Sequence, residues 1–527
     1  MNRRRFLQMS SGFAGSLALP PTLAAAPSKS PNMVLIMADD MGFSDIGCYG
    51  SEIATPNIDR LARGGVRFTQ FYNCARCCPT RSSLLTGLYP HQAGIGHMVE
   101  NLGAPAYQGY LNDRCVTLAE VLGGAGYRTM MSGKWHVGED RPHWPVDRGF
   151  QDYFGLISGA SNYWQLESGR KMALGDQPYT PSASFYMTDA ITDYAVQFLD
   201  RSRGPQPFFL YLAYTSPHWP LHAHKTDIEK YEGKYRIGWD ELRRRRLARM
   251  IELGIVDKRW PLTPRDAEAP AWETVEDKAD RDRAMAVYAA QVDRMDQNIG
   301  RVLAKLDELR AMENTLVLFV SDNGGCAEKV NRGKEGVPPG GPDSYFSYGL
   351  PWANASNTPF RLYKHWVHEG GIATPMIAHW PAGIRQPGRL HPQVGHVSDF
   401  MATFVDLARA KYPERRNGQP ITPMQGRSLA AAFAGRTPES RRVFWEHEGN
   451  RAMRDGKWKL VSRRPDRWEL YDMEADRTEM HDLAAANPEL AASMTRSYEE
   501  WAARCGVKPW AEVEALRKAA RKGPARE

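Results

Sequence analysis

Three short stretches carry almost unbroken apolar side chains: Asn32-Met-Val-Leu-Ile-Met-Ala38, Phe208-Phe-Leu-Tyr-Leu-Ala213 and Thr315-Leu-Val-Leu-Phe-Val320. Runs of this length without alternation suit strands buried on both faces, as in a parallel sheet. Each run stops at a polar cluster: Asp39-Asp40, Ser216-Pro217-His218 and Ser321-Asp322-Asn323-Gly324. In open α/β sheets the carboxyl edge of the strands is where sites assemble. Between the strands the period changes. Tyr288, Val292, Met295, Ile299, Leu303, Leu306 and Leu309 recur every three or four residues, which predicts one face of a long amphipathic helix. Asp189 to Leu199 reads as a second helix with Thr188 as its N-cap. Strands alternating with helices predict a doubly wound α/β core, a large and mostly parallel sheet with helices on both faces.

Two segments break this texture. Arg332 to Asn357 is rich in Gly, Pro, Asn and Ser and reads as a long loop at the rim of a site. From about Arg441, Val443-Phe-Trp445, Trp458-Lys-Leu-Val461 and Trp468-Glu-Leu-Tyr471 are short strand-like pieces, followed by a helical tail from about Pro488. They predict a small α+β unit with an antiparallel sheet, and residues 517–527 read as a frayed basic end. The expected organisation is an N-terminal signal over 1–26, a core over 27–440 and a small C-terminal domain over 441–527.

The chain has 527 residues, 42% hydrophobic and 24% charged, a globular composition. No apolar run reaches the roughly 18 residues of a membrane helix, so stable membrane insertion is not expected. The net charge is +7. Arg3, Arg4 and Arg5 contribute nearly half of it, and the rest is scattered, which argues against a nucleic-acid partner. The densest basic run, Arg243 to Arg246, reads as a solvated helix face. The start, Asn2-Arg-Arg-Arg-Phe-Leu-Gln8, precedes a weakly apolar stretch and Leu23-Ala-Ala-Ala26. It resembles a twin-arginine export signal, which implies a Tat translocase as partner and a periplasmic or exported bacterial location.

Candidate chemistry centres on Cys77-Cys-Pro-Thr-Arg-Ser-Ser-Leu-Leu-Thr-Gly87. Pro79 marks a helix start and Gly87 its C-terminal cap. Cys77 then lies at a helix N-terminus, which favours anions, with Arg81 on the first turn. A buried structural cysteine is the bland alternative for this fragment alone. Asp39, Asp40, Asp322 and Asn323 offer only oxygen ligands, which suit Ca²⁺ or Mg²⁺ rather than a thiolate-seeking metal.

The Cys-x-Pro-x-Arg element with Leu-Leu-Thr-Gly87 resembles the signature of the formylglycine-dependent sulfatases, a family of the alkaline phosphatase superfamily. So do Gly126-Tyr-Arg-Thr-Met-Met-Ser-Gly-Lys-Trp-His136, Pro31 to Asp40, Ser321 to Gly324, Glu369-Gly-Gly371 and Trp468 to Asp472. Within that family the likeness is to bacterial periplasmic arylsulfatases, over nearly all of the chain after the signal. Thr80 stands where Ser is usual, and Cys78 adds a competing thiol. The resemblance implies an alkaline-phosphatase-like fold and hydrolysis of aryl sulfate esters. It implies that a formylglycine-generating enzyme oxidises Cys77 to formylglycine before export. It implies one Ca²⁺ on Asp39, Asp40, Asp322, Asn323 and modified Cys77. Lys134, Arg81 and Lys364 would stabilise the sulfuryl oxygens, and Asp322 would take the nucleophile's proton. His218 would protonate the leaving group, and His136 would act as the base that releases sulfate. His222 and His224 lack a third ligand in the sequence and read as surface or rim residues. Two readings compete: a phosphate or phosphonate ester hydrolase on the same core, and a non-catalytic periplasmic binding protein. The six remaining cysteines could pair in an oxidising compartment, without any pairing being indicated.

Overall fold

The computed structural model describes residues 30–437 and 439–522; the proposed export signal lies outside them. The strands β1 (Asn32–Ala38), β2 (Val66–Tyr72), β3 (Arg128–Gly133), β4 (Asp152–Leu156), β5 (Met172–Leu174) and β6 (Gln177–Pro178) come first. They are followed by β7 (Phe208–Ala213), β8 (Thr315–Ser321), β9 (Ala373–His379), β10 (Leu390–His391) and β11 (Gly395–His396). Together they form one large sheet in the order β10-β2-β9-β8-β1-β7-β3-β4-β5-β6, with β11 also on β2. The centre is parallel: β1 pairs with β7 and β8, and β3 with β7 and β4. β9 runs antiparallel to both β8 and β2, which makes the sheet mixed.

The unbroken apolar runs work as the pattern requires. Val34 and Ile36 of β1, Leu210 and Leu212 of β7, and Val317 and Phe319 of β8 enter one core layer. Their neighbours Met33, Leu35, Phe209, Tyr211, Leu316 and Leu318 enter the other. Alternate side chains point to opposite faces, so both faces must be apolar. The long helix spans Lys278–Glu308, ten residues more at its start than its clearest apolar stripe. Met295, Ile299, Leu303 and Leu306 pack on the sheet, while Tyr288 and Val292 join a third cluster with Trp239 and Trp352.

After a two-residue hairpin, β12 (Arg415–Arg416) and β13 (Gln419–Pro420), the chain forms β14 (Val443–His447), β15 (Asn450–Asp455), β16 (Trp458–Ser462) and β17 (Glu469–Asp472). These pair antiparallel in that order. One face, with Phe444, Met453, Leu460 and Leu470, packs on Tyr498 and Trp501 of the helix Pro488–Cys505. The opposite face, with Val443, Trp445, Ala452 and Val461, belongs to the same apolar cluster as β1 and the long helix. Among the described residues no helix is long and apolar enough to cross a membrane.

Several local expectations need correction. The helix placed at 189–199 spans Met187–Asp200 with Tyr186, not Thr188, at its N-cap. The Met187 N–H donates to Tyr163 O at 2.7 Å, so a tertiary carbonyl replaces the capping side chain. Pro79 is the third residue of the helix Cys77–Thr86 rather than its first; it still lies where a missing N–H leaves no bond unmade. The 332–357 loop ends in a helix, Gly349–Ser356, because Trp352, Ala353 and Ala355 can bury against the third cluster. The basic run is not simply solvated. Arg244 and Arg245 are exposed, but Arg243 and Arg246 are buried. Arg246 pairs with Asp45 and Glu52. His222 is fully buried, not superficial; its Nδ1 accepts from Tyr163 N at 3.3 Å and its Nε2 bonds Ser344 O at 2.8 Å. His224, by contrast, stays 35% exposed. The tail is helical over Trp510–Lys522, with Trp510 and Val513 packed against Leu102 and Tyr107, so Arg517 is not in a frayed end. All seven cysteines are free thiols.

Candidate active site

Parallel pairing of β8, β1, β7 and β3 brings four carboxyl ends to one edge of the sheet, and four of the sequence clusters meet there. Asp39 and Asp40 follow β1, Asp322 and Asn323 follow β8, His218 follows β7, and Lys134 and His136 follow β3. Backbone bonds lock these ends together: Asp39 N to Ser216 O, Lys134 N to Ala213 O, and Asp322 N to Ala38 O. Cys77 and Arg81 arrive on the helix Cys77–Thr86, and Lys364 on the loop before β9.

Adjacent carboxylates would repel, and the backbone separates them. Asp40 has φ of 64°, a left-handed conformation that is strained for a non-glycine residue and turns its side chain away from that of Asp39. Asp39 Oδ2 accepts from Lys134 Nζ at 2.6 Å, and its Oδ1 is 3.6 Å from Arg81. Asp40 Oδ2 accepts from Lys364 Nζ at 2.8 Å and is 3.4 Å from His218 Nε2, while its Oδ1 accepts from Asn323 Nδ2 at 2.7 Å. Arg81 donates to Asp322 Oδ2 at 2.8 Å and to Lys134 O at 3.0 Å. Both of its terminal nitrogens are thus engaged with protein, and it holds Asp322 and the Lys134 loop in place.

Every one of these groups is buried. Three carboxylates face three fixed cations in a medium where an unpaired charge would be costly. Burial and the neighbouring Asp39 push Asp322 up to about 8. Burial raises Asp39 as well, despite Lys134 and Arg81. Burial works in the same direction on Asp40, but His218 and Lys364 outweigh it and hold that carboxyl well below its ordinary range. Burial pushes His218 down to about 4, against the pull of the neighbouring Asp40 carboxylate. His136 is also lowered by burial, which leaves it a neutral base. The Cys77 thiol is held well below its usual range by a hydrogen bond from Cys78 and by Lys134 and His136, against the effect of burial. The ligand atoms of Cys77, Cys78 and His136 lie within 4.8 Å of one another. Thr80, the departure from the usual Ser, keeps a hydroxyl here: its Oγ1 accepts from Cys74 N at 2.9 Å.

Two buried oxygens in this pocket, Asp39 Oδ1 and Asn323 Oδ1, have no hydrogen-bond donor. The amide nitrogen of Asn323 is spent on Asp40, so its carbonyl is left bare. Bare, buried, hard oxygens beside a carboxylate whose protonation is favoured by burial and by the repulsion of Asp39 fit a divalent cation of the calcium type.

Some neighbours were not legible in the sequence. Cys78 Sγ lies 3.4 Å from both ring nitrogens of His136. Glu328 joins Arg76 at 3.1 Å and accepts from Trp219 Nε1 at 2.8 Å. Arg332 stacks on Trp219 and Tyr345, 5.5 and 4.6 Å from the ring centroids, beside His218. Tyr163 donates to Thr215 O and lies 2.9 Å from His218 O. No local pattern in the sequence pointed to these contacts, which join residues far apart along the chain.

A doubly wound sheet with a buried, charge-balanced pocket at its carboxyl edge and a cysteine at a helix N-terminus defines a hydrolase of the alkaline-phosphatase-like fold. The sulfatase family model matches residues 31–410, and the chain belongs to that family. A second model, N-sulphoglucosamine sulphohydrolase C-terminal, matches residues 360–502. The chain is 36% identical to an uncharacterized sulfatase of Schizosaccharomyces pombe, over 83% of this chain and 86% of that one. It is 33% identical to the arylsulfatase of Klebsiella aerogenes, over 79% and 95%. Among solved structures, Ps i-CgsB in complex with k-i-k-neocarrahexaose superposes with a TM-score of 0.68 at 28% identity, over 90% and 92%.

Proposed function

We propose that this sulfatase hydrolyses sulfate monoesters, aryl sulfates among them, with Cys77 converted to formylglycine and one Ca²⁺ held by Asp39, Asp40, Asp322 and Asn323. The observation that carries the reading is the buried ring of Lys134, Lys364 and Arg81 interleaved with three carboxylates around Cys77. Those charges balance, so a divalent cation leaves the pocket net positive and ready for an anionic ester. When present, the two groups supply a hydrated aldehyde as nucleophile and a Lewis acid for the sulfuryl oxygens.

The chain's own residues do the rest. Lys134 and Lys364 Nζ, each already beside a carboxylate, bind the sulfuryl oxygens. Arg81 fixes Asp322, which accepts the proton from the attacking hydroxyl. His218 donates to the leaving oxygen once the ester's negative charge has raised its basicity. Neutral His136 takes the proton whose loss releases sulfate. The likeness to the Klebsiella arylsulfatase supports aryl esters, and the Trp219, Tyr345 and Arg332 stack beside His218 is an apolar, cationic wall suited to an aromatic group. Modification by a formylglycine-generating enzyme and Tat export to the periplasm complete the proposal and rest on the sequence motifs. Cell fractionation that finds the protein only in the cytoplasm refutes the export part.

The test pairs a mass spectrum of the Cys77 peptide with turnover of one aryl group carried as sulfate, phosphate or phosphonate. Wild type should carry the aldehyde and prefer sulfate, and Cys77→Ser should lose at least about 10³-fold in kcat. Cys77→Ser turning over an aryl sulfate at the wild-type rate overturns the mechanism. A preference for phosphate or phosphonate overturns the substrate class.

A further inference from the structure

Outside the catalytic ring, three histidines surround a single carboxylate. Glu448 and Gly449 form the tip of the β14–β15 hairpin, both with positive φ, 51° and 83°. Glu448 Oε1 is 2.7 Å from His97 Nε2, and its Oε2 is 2.9 Å from His365 Nδ1. His447 Nε2 is 3.9 Å from Oε1. The His447 ring lies 5.9 Å from that of His97 and 5.5 Å from that of His365, centroid to centroid. His365 is itself held at a φ of 90°, unusual for a non-glycine residue.

Hydrogen bonding within the cluster engages His97 Nε2, His365 Nδ1 and both oxygens of Glu448, and of these three residues leaves only the acceptor Nδ1 of His97 without a partner. It does not account for His447, which is completely buried with neither ring nitrogen hydrogen-bonded. An imidazole always carries at least one N–H, and buried polar groups are rarely left without a partner. A missing ligand explains this orphan. Its chemistry follows from the donors: three imidazole nitrogens and one carboxylate oxygen. An anion would meet Glu448. The nearby cations are already paired, Arg76 with Glu328 and Arg464 with Glu514. Calcium prefers an all-oxygen shell, whereas nitrogen with one carboxylate suits zinc and its neighbours in the first transition row.

We propose that His97, His365, His447 and Glu448 form a second metal site, for a divalent transition ion of the zinc class. The ligand atoms of His365, His447 and Glu448 already lie within 4.8 Å of one another. A tetrahedral zinc with bonds near 2.0 Å holds such atoms about 3.3 Å apart, so the pairs at 2.7 and 2.9 Å open slightly and His447, at 3.9 Å, closes in. His365 and Glu448 are 27% and 20% exposed, which opens a route for the ion. The site joins three parts of the chain. His365 follows Lys364, which holds Asp40, and its N–H donates to Ala75 O just ahead of Cys77. An ion here clamps the hairpin of the small sheet onto the loops that carry Lys364 and Cys77.

The experiment uses the full-length protein, stripped by chelation and then given Zn²⁺ alone. Bound zinc is counted by elemental analysis after gel filtration, affinity by calorimetry, and Tm by thermal melts. Wild type should retain one zinc per chain and melt higher with it. His447→Asn, His365→Asn and Glu448→Gln should bind at least about 100-fold more weakly and lose the zinc-dependent rise in Tm. His365→Asn, at a partly exposed position, keeps the test open if the buried change prevents folding. Exposed His481→Asn should behave as wild type. Wild type without stoichiometric zinc, or variants that bind as tightly as wild type, overturns the proposal; the latter result would place the ion elsewhere, such as at Cys77, Cys78 and His136.

Discussion

Glu369 opens the Glu-Gly-Gly motif that the sequence shares with sulfatases, yet its carboxylate makes no bond to the ring of charges around Cys77. It is completely buried between the large sheet and the small one. Its Oε1 accepts from Lys459 Nζ at 2.8 Å, and its Oε2 from Arg477 Nε at 2.9 Å and Tyr72 Oη at 3.0 Å. Lys459 also reaches Glu479 at 2.8 Å, and Arg454 bonds Tyr72. Two anions therefore serve three buried cations. Glu369→Gln keeps the shape but removes one anion, and breaking a buried pair in this way costs about 3–5 kcal/mol. The carboxyl's own titration gives a second route to the magnitude. Although burial raises it, Lys459 and Arg477 bring Glu369 from an ordinary 4.5 down to about 2. At 1.36 kcal/mol per pH unit that corresponds to about 3 kcal/mol. A folded pKa below the unfolded one stabilises the protein above pH 4.5, and the contribution is lost as pH falls from there towards 2. Urea unfolding followed by circular dichroism and Trp fluorescence should show Glu369→Gln destabilised by about 3 kcal/mol or more at pH 7. Adding Arg477→Met should restore part of the loss by removing an unpaired cation. Between pH 4.5 and 2 the variant should lose stability less steeply than wild type. A Glu369→Gln protein within 0.5 kcal/mol of wild type at pH 7, or equally acid-sensitive, refutes this account.

Arg246 lies 1% exposed between Asp45 at 2.5 Å and Glu52 at 2.9 Å, so Arg246→Met should cost about 3–5 kcal/mol, whereas Arg244→Met and Arg245→Met should stay within about 0.5 kcal/mol in the same urea assay. Exhaustive chelation should abolish aryl sulfate turnover, and added Ca²⁺ should restore it; full activity after chelation would rule out a required cation on Asp39, Asp40, Asp322 and Asn323.

The apolar runs of β1, β7 and β8 were legible because a strand buried on both faces leaves no polar alternation to misread, and each ends in the residues that line the pocket. The helix over 278–308 announced itself only through the stripe from Tyr288 onward, which faces the sheet from Met295. Its first turns pack against the tryptophan cluster, which no local period reveals. The run Arg243 to Arg246 shows the opposite failure. Four identical residues carry no pattern, and only the positions of Asp45 and Glu52 decide which guanidinium turns inward. Thr188 was a sound cap by composition, displaced because Tyr163 O lies where a capping oxygen would. The metal-type oxygens at Asp39 and Asn323 were readable as residue types. That two of them lack donors depends on Asn323 spending its amide on Asp40, a contact between residues 283 positions apart.

The change of texture near residue 441 marks a change of architecture, and the contacts across it explain why the pocket needs both sides. Trp445 donates Nε1–H to Asn73 O at 2.8 Å, directly after β2 and on the approach to Cys77. Lys459 and Arg477 neutralise Glu369 directly before Gly370 and Gly371, and Gly371 O accepts from Gly324 N beside the Asp322–Asn323 pair. Glu448 pairs with His365, the neighbour of Lys364. The small sheet thus braces the far sides of the loops whose near sides hold the charges. A pocket of three carboxylates and three cations is mutually repulsive within each set, and its geometry persists only if the loops cannot relax apart. The charged groups of the pocket come from residues 39–364, but the rigidity that keeps like charges in place is supplied from residues 369–479.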